Sequence, residues 1–221
     1  MKKTTLLFRE AIVVVAFLIS FSAYSQSTQT VDLVATQDTY IRGKSGDEQI
    51  KTHGTCDKLI VDRETTDLHR ALLQFDVSSI PTGSYIESAE LRLASNTDKD
   101  MTISVFEVTE SWVEGNDCAA KNKAPNWSQR NSSDNWSNLG VIGNNDDDGT
   151  PLYTIIADFK GIHSWFITDL VQDWVSGFKT NNGVMLASQD GGGDRKTEYH
   201  SREKTSEIVP TLRVTYRKVY D

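Results

Sequence analysis

The stretch IESAELRLA at residues 86–94 decides the fold class, because apolar and charged side chains alternate along it. In an extended chain Ala89, Leu91 and Leu93 fall on one face, and the charged residues between them fall on the other. This period of two is typical of an antiparallel strand with one buried face and one face in water. The same alternation recurs on both sides of the segment.

Strands of this kind are predicted along most of the chain, and one segment has helical periodicity instead. Residues 168–176 (TDLVQDWVS) place apolar side chains on one stripe of a helix, with Thr168 or Asp169 as N-cap and Gly177 as the stop. We therefore predict an all-β, two-sheet jelly-roll β-sandwich with one short helix near residues 168–176. The nine predicted strands are residues 33–41, 58–62, 70–77, 86–94, 101–109, 152–159, 183–188, 196–201 and 211–217.

Two polar loops, at residues 43–57 and 113–151, are longer than most connections between strands. Loops of this size often carry function. Each contains one of the two cysteines, Cys56 and Cys118. In an oxidising compartment an even pair predicts one disulfide bond, and the alternative is two separate thiols.

The first residues predict export. A basic start is followed by the apolar run AIVVVAFLISF at residues 11–21 and by small residues up to Ser25. This is the order of a secretory signal peptide, whereas a membrane anchor needs an apolar run of roughly 20 residues. We therefore expect a signal peptide at residues 1–25 and a single domain at residues 26–221. That domain is expected to be periplasmic, extracellular or on the cell surface, with no membrane span.

The predicted mature domain is acidic. The whole chain has 23 Lys and Arg against 31 Asp and Glu, and removal of residues 1–25 leaves 20 against 30, a net charge of −10. Because such a field repels polyanions at long range, we expect neither nucleic acid nor an anionic membrane as a partner, and an acidic ligand would need arginines concentrated at its site or a bridging cation. The remaining 196 residues suit one sandwich with a core of its own.

Seven segments of the mature chain carry a recognisable pattern in their content and order. They are DTYIRG (38–43), HRALLQFDVSSIP (69–81), IESAELRL (86–93), ISVFEVTESWVEG (103–115), FITDLVQDWVSG (166–177), NNGVMLAS (181–188) and YHSREKTSEIVPTLRVTY (199–216). Together they resemble the DNRLRE domain family, which is related to the disaggregatase repeat. That family overlaps carbohydrate-binding modules found beside alginate and other polysaccharide lyases. The loop at residues 113–151 is longer and more polar than the family pattern.

The resemblance implies a secreted, non-catalytic protein that binds acidic, uronate-containing polysaccharide of algae or matrices. Its expected partners are the polysaccharide and the polysaccharide-degrading enzymes of the same system. Two alternatives stay open: a structural or adhesive surface protein, and a small polysaccharide lyase. Against the lyase, the Gln-Ile-His element of jelly-roll alginate lyases is absent. Tyr199 and His200 are strand neighbours and point to opposite faces. We therefore expect no enzyme.

A binding face for an acidic glycan needs flat aromatic rings for the sugar and arginines for its carboxylates. For the two tryptophans of the long loop, packing into the core is the alternative. For Arg70 and Arg202, the alternative is pairing with carboxylates inside the sandwich. The candidate ligand-binding residues are Tyr40, Arg42, Arg70, Trp127, Arg130, Trp136, Tyr199 and Arg202.

Jelly-roll binding modules often hold a structural Ca²⁺, which takes six to eight oxygen ligands. Asp38, Asp76 and Asp169 lie in the matched segments and are the candidate ligands. The acidic run at residues 144–149 (NNDDDG) lacks the alternating Asp spacing of a calcium loop, so we interpret it as a solvated turn. No other cofactor is expected.

Overall fold

The structure of the protein is a computed structural model, and it describes residues 27–64, 66–141, 149–188, 195–205 and 208–218. These residues contain twelve β-strands and one α-helix. The predicted signal peptide and most of the acidic run at residues 144–149 lie outside these residues. The strands are β1 (Thr28–Arg42), β2 (Lys51–Thr52), β3 (Lys58–Glu64), β4 (Asp67–Phe75), β5 (Tyr85–Ser95), β6 (Met101–Glu107), β7 (Ala120–Lys121), β8 (Tyr153–Ala157), β9 (Gly161–Phe166), β10 (Val184–Ser188), β11 (Lys196–His200) and β12 (Thr211–Arg217). The helix is α1 (Thr168–Ser176), and 3₁₀-helical turns occupy Gly46–Ile50 and Leu139–Val141.

Six of the strands close on themselves in the order β1-β12-β5-β11-β3-β4, because β1 pairs with both β12 and β4. The N-terminal half of β1 pairs with β12 and its C-terminal half with β4, and a register shift separates Ala35 from Gln37 along the β4 ladder. Such an irregularity bends a strand, which lets β1 turn from one partner to the other. The sheet continues from β4 through β10, β6 and β8, and β9 pairs with β5.

This architecture confirms the all-β, sandwich-like class with one helix. It adds a barrel-like closure of six strands that the sequence pattern did not predict. The jelly-roll arrangement within that class stays a prediction. Among the described residues, none of the helices is long and apolar enough to cross a membrane.

The main core lies inside the closed sheet, beneath α1. The alternating residues of β5, Ala89, Leu91 and Leu93, are fully buried as predicted, and Trp165 of β9 packs with them. Helix α1 covers this core with its apolar stripe and ends at Gly177, whose φ of 72° suits glycine. The predicted N-cap is wrong, because no side chain caps α1.

Residue Thr168 has another role at the start of α1. Its hydroxyl accepts a hydrogen bond from the Ala89 amide at 3.1 Å, so it fastens the helix to β5 instead of capping it. The residue before the helix, Ile167, stands at the N-cap position and is itself buried. Attachment to the sheet therefore fixes where α1 begins.

The two long loops fold against each other. Strands β2 and β7 form a small antiparallel sheet between them, with Thr52 opposite Ala120. The Cys56–Cys118 disulfide joins the same loops across a separation of 62 residues, which confirms the predicted bond. The described part of the second loop also encloses a second apolar core with the other face of the sheet. Its buried members include Ile41, Leu72, Phe106, Trp112, Trp127, Trp136, Val141 and Met185.

Candidate functional site

The four predicted aromatic ligands do not form a platform at the surface. Tyr40, Trp127, Trp136 and Tyr199 are only 8%, 8%, 4% and 0% exposed. The interpretation of the loop tryptophans as exposed aromatics is therefore wrong. They fill the second core, and the Trp136 indole donates to the Asn126 carbonyl at 3.0 Å.

The predicted arginines are engaged within the protein. Arg42 donates to both oxygens of Asp67, at 2.6 and 2.5 Å. Arg70 lies 4.6 Å from the centre of the Trp127 ring, and this is a cation–π contact. Arg130 donates to the Ser111 carbonyl at 2.7 Å. These contacts stabilise the fold, and a role of the same side chains in glycan binding stays a prediction.

Three groups that a lyase could use as a base, His53, His69 and Tyr199, are also inside the protein. Burial lowers the pKa of His53 to about 4 and that of His69 to about 4, so both imidazoles are neutral at pH 7. Burial raises the pKa of Tyr199 well above its ordinary value, and its hydroxyl lies 2.8 Å from His163 Nδ1. A general base has to come within hydrogen-bond reach of its substrate, and all three of these side chains are buried.

Three carboxylates from distant segments meet at one place, which we call the acidic cluster: Asp38 of β1, Glu114 after β6 and Glu203 after β11. One oxygen from each lies within 4.8 Å of the others. Two backbone amides hold them, since the Asp38 amide donates to Glu114 Oε1 at 2.8 Å and the Arg202 amide donates to Asp38 Oδ2 at 2.8 Å. Asp38 is fully buried.

Among the residues that the structure describes, the guanidinium group of Arg202 faces the acidic cluster. Arg202 pairs with Glu114 through Nη2, and its Nε lies 3.1 Å from Glu203 Oε1. Burial raises the pKa of Asp38 to about 8, although the Arg202 amide lowers it. Burial also raises the pKa of Glu114 despite the guanidinium beside it. One guanidinium group would not neutralise the three carboxylates if all of them were ionised.

The segment that carries Glu114 is fixed from both sides. Gln37 Oε1 accepts a hydrogen bond from the Glu114 amide at 2.7 Å, and the disulfide at Cys118 ties the chain four residues further on. The two loops cross so closely that a Cβ at Gly54 would lie 1.9 Å from the Gly115 carbonyl oxygen. Glycine is therefore required at this crossing.

A polar cavity of about 410 Å³, the amide pocket, opens beside Glu114. Asn116 and Lys123 on its wall are exposed, and the Lys123 ammonium pairs with none of the residues that the structure describes. The pocket therefore offers amide groups, the hydroxyl of Ser132, the Glu114 carboxylate that pairs with Arg202, and one free positive charge. Its lining residues are Val113, Glu114, Gly115, Asn116, Asn122, Lys123, Ala124, Gln129, Asn131 and Ser132.

Sequence reasoning missed an exposed aromatic pair on another part of the sheet. The rings of Tyr153 and Phe166 meet edge to face at 5.5 Å and are 39% and 46% exposed. Phe166 also lines a groove of about 250 Å³ with Thr168 and Asp169. Phe166 belongs to β9, a strand that was not predicted from the sequence.

Asp76 and Asp169, the other two predicted calcium ligands, are not part of the acidic cluster. Asp76 Oδ1 accepts a hydrogen bond from the Ser78 amide at 2.8 Å in the turn after β4. Asp169 lies in the first turn of α1, where a negative charge is favoured by the helix dipole. Of the predicted set, the structure therefore places only Asp38 among other carboxylates.

Residues 29–117 match the model of carbohydrate-binding module family 96. This range includes Asp38 and Glu114, as well as residues 113–116 of the amide pocket, and it ends before Lys123. A comparison with curated proteins finds no match. The family match indicates carbohydrate binding, whereas the narrower DNRLRE resemblance stays a prediction.

Proposed function

We propose that the protein is an exported, non-catalytic polysaccharide-binding protein that holds acidic, uronate-containing glycans in the amide pocket. One observation carries this proposal. The segment that matches a carbohydrate-binding module ends in the wall of an open pocket whose other wall supplies the unpaired ammonium of Lys123.

The side chains of the pocket suit a hydroxylated, negatively charged polymer. An amide both donates and accepts hydrogen bonds, so Asn116 and Asn122 can each bind neighbouring sugar hydroxyls. Lysine presents a mobile point charge that can pair with a uronate carboxylate without a fixed orientation. The pocket contains no aromatic ring, so its specificity comes from polar contacts.

Two further observations support the proposal. The burial of the His53, His69 and Tyr199 side chains favours a binding function over a lyase reaction, because a polymer cannot reach these side chains. The disulfide favours an oxidising compartment, which agrees with export. We extend the proposal to a jelly-roll sandwich working beside polysaccharide-degrading enzymes of one system.

Affinity electrophoresis tests the glycan class. Migration of the protein should be retarded in gels containing alginate more than in gels containing a neutral glucan. Lys123→Ala should lose at least half of the alginate retardation. Lys160→Ala makes the same charge change at an exposed position after β8 and should keep it.

Three results would count against the proposal. Absence of retardation by every glycan contradicts polysaccharide binding. If Phe166→Ala lost binding and Lys123→Ala bound as the parent does, the binding site would be the exposed aromatic pair instead of the amide pocket. A steady rise in ultraviolet absorbance from unsaturated uronates, with purified protein and alginate, would show a lyase.

A further inference from the structure

We propose that Asp38, Glu114 and Glu203 form a binding site for a calcium ion. This inference concerns a metal and not the glycan, so it goes beyond the proposed function. It also replaces two of the three ligands predicted from the sequence with residues of the acidic cluster.

The geometry of the acidic cluster suits one ion at its centre. One oxygen from each of the three carboxylates lies within 4.8 Å of the other two. Calcium binds oxygen at about 2.3–2.6 Å, so two ligands on opposite sides of the ion are separated by about twice that distance. A single calcium ion can therefore touch all three carboxylates after small side-chain adjustments.

An unpartnered oxygen points to a missing ligand. Asp38 is fully buried, yet no N–H or O–H group of the described residues donates to its Oδ1 atom. Glu203 Oε2 is likewise buried without a donor, and the Asp38 and Glu203 carboxyl groups lie within hydrogen-bond reach of each other, so a cation or a proton has to lie between them. A buried carboxylate oxygen that makes no hydrogen bond costs on the order of several kcal/mol, and coordination of a cation removes that cost.

The negative charge of the acidic cluster also favours the binding of a divalent cation. With all three carboxylates ionised, as they would be around a cation, the acidic cluster and the Arg202 guanidinium carry a formal charge of −2. Arg202 contacts Glu114 Oε2 and Glu203 Oε1, so it leaves Asp38 Oδ1 and Glu203 Oε2 for another partner. The guanidinium side chain is 37% exposed and can turn outward if the ion needs the space.

The donor set selects the kind of metal. The acidic cluster contains only carboxylates and neither histidine nor cysteine, which disfavours zinc and softer ions. Its ligands come from one strand and from two loops that are distant in sequence. Calcium accepts such irregular oxygen sites and completes its shell with water or carbonyl groups, whereas magnesium demands near-ideal geometry.

Calcium titration of the chelator-treated whole chain, without glycan, tests the site independently of the proposed function. Calorimetry with CaCl2 should give one ion bound per chain, and thermal unfolding should shift upward with CaCl2 concentration. Equal concentrations of MgCl2 should give a smaller shift. Asp38→Asn should weaken calcium binding at least tenfold, whereas Asp169→Asn, a matched carboxylate outside the acidic cluster, should leave it unchanged.

A second variant keeps the proposal testable if the first variant does not fold. If Asp38→Asn does not fold, Glu203→Gln changes a side chain that is 21% exposed and should also weaken binding at least tenfold. Absence of both heat and thermal shift at 10 mM CaCl2 would overturn the proposal and leave a proton as the partner of Asp38. Unchanged calcium binding in both variants, or equal stabilisation by MgCl2, would overturn it as well.

Discussion

The Cys56–Cys118 bond closes a separation of 62 residues, and this length sets the stability that its removal should cost. The loss of loop-closure entropy in the unfolded chain gives a stabilisation of about 4 kcal/mol for a loop of this size. In a domain of about 200 residues each kcal/mol shifts the melting temperature by about 2–4 °C, so the expected fall is roughly 8–16 °C. Few other single changes outside the core should have so large an effect.

The assay compares the parent protein with Cys56→Ala/Cys118→Ala by urea unfolding and scanning calorimetry. A reducing agent should destabilise the parent by a similar amount and leave the double variant unchanged, which separates the crosslink from the loss of two side chains. Binding to alginate should also weaken in the variant, because the bond holds the wall of the amide pocket. A loss below about 1 kcal/mol in both tests would refute the entropic argument.

Three further predictions concern packing and protonation. Gly183→Ala should destabilise by about 2–4 kcal/mol in urea unfolding, because its φ is +84° and a Cβ would lie 2.1 Å from the Leu73 carbonyl oxygen. Gly46→Ala has a similar φ of +80° but no neighbour within 4 Å, so it should cost only about 1 kcal/mol; equal losses would contradict the steric argument. Trp127→Ala should cost about 3–5 kcal/mol, since the ring fills the second core, and a loss below about 1 kcal/mol would show that this packing contributes little. The pKa of His53 is lowered to about 4, so its neutral state stabilises the fold fully above its unfolded pKa of about 6.5, and this stability is lost as the pH falls toward 4. Between pH 7 and pH 5 the parent should therefore lose about 2 kcal/mol more than His53→Asn, and an NMR titration that places the His53 pKa near 6.5 would contradict this.

The regular elements could be predicted because their burial follows simple periods. In β5 the apolar face is also the buried face, and in α1 the apolar stripe faces the core. Strand β9 escaped prediction because one of its inward positions is His163, a polar residue that interrupts the apolar alternation. The disulfide could be predicted because the chain has two cysteines and is expected to be exported to an oxidising compartment.

The acidic cluster could not be predicted in the same way. Glu114 is 76 residues from Asp38 along the chain, and it meets Asp38 only because the loops cross. Long-range folding also explains why the burial of the two loop tryptophans was not predicted. A polar sequence surrounds Trp127 and Trp136, and nothing local reveals that the loop folds back over the sheet and buries them.

Glycan binding in the amide pocket is tested most directly by an NMR titration of the ¹⁵N-labelled protein with a uronate oligosaccharide. The largest amide shifts should occur around the amide pocket, at Asn116, Asn122 and Lys123, and Lys123→Ala should reduce their size at equal ligand concentration. Shifts centred on Tyr153 and Phe166, or no shifts at millimolar oligosaccharide, would contradict binding in the amide pocket.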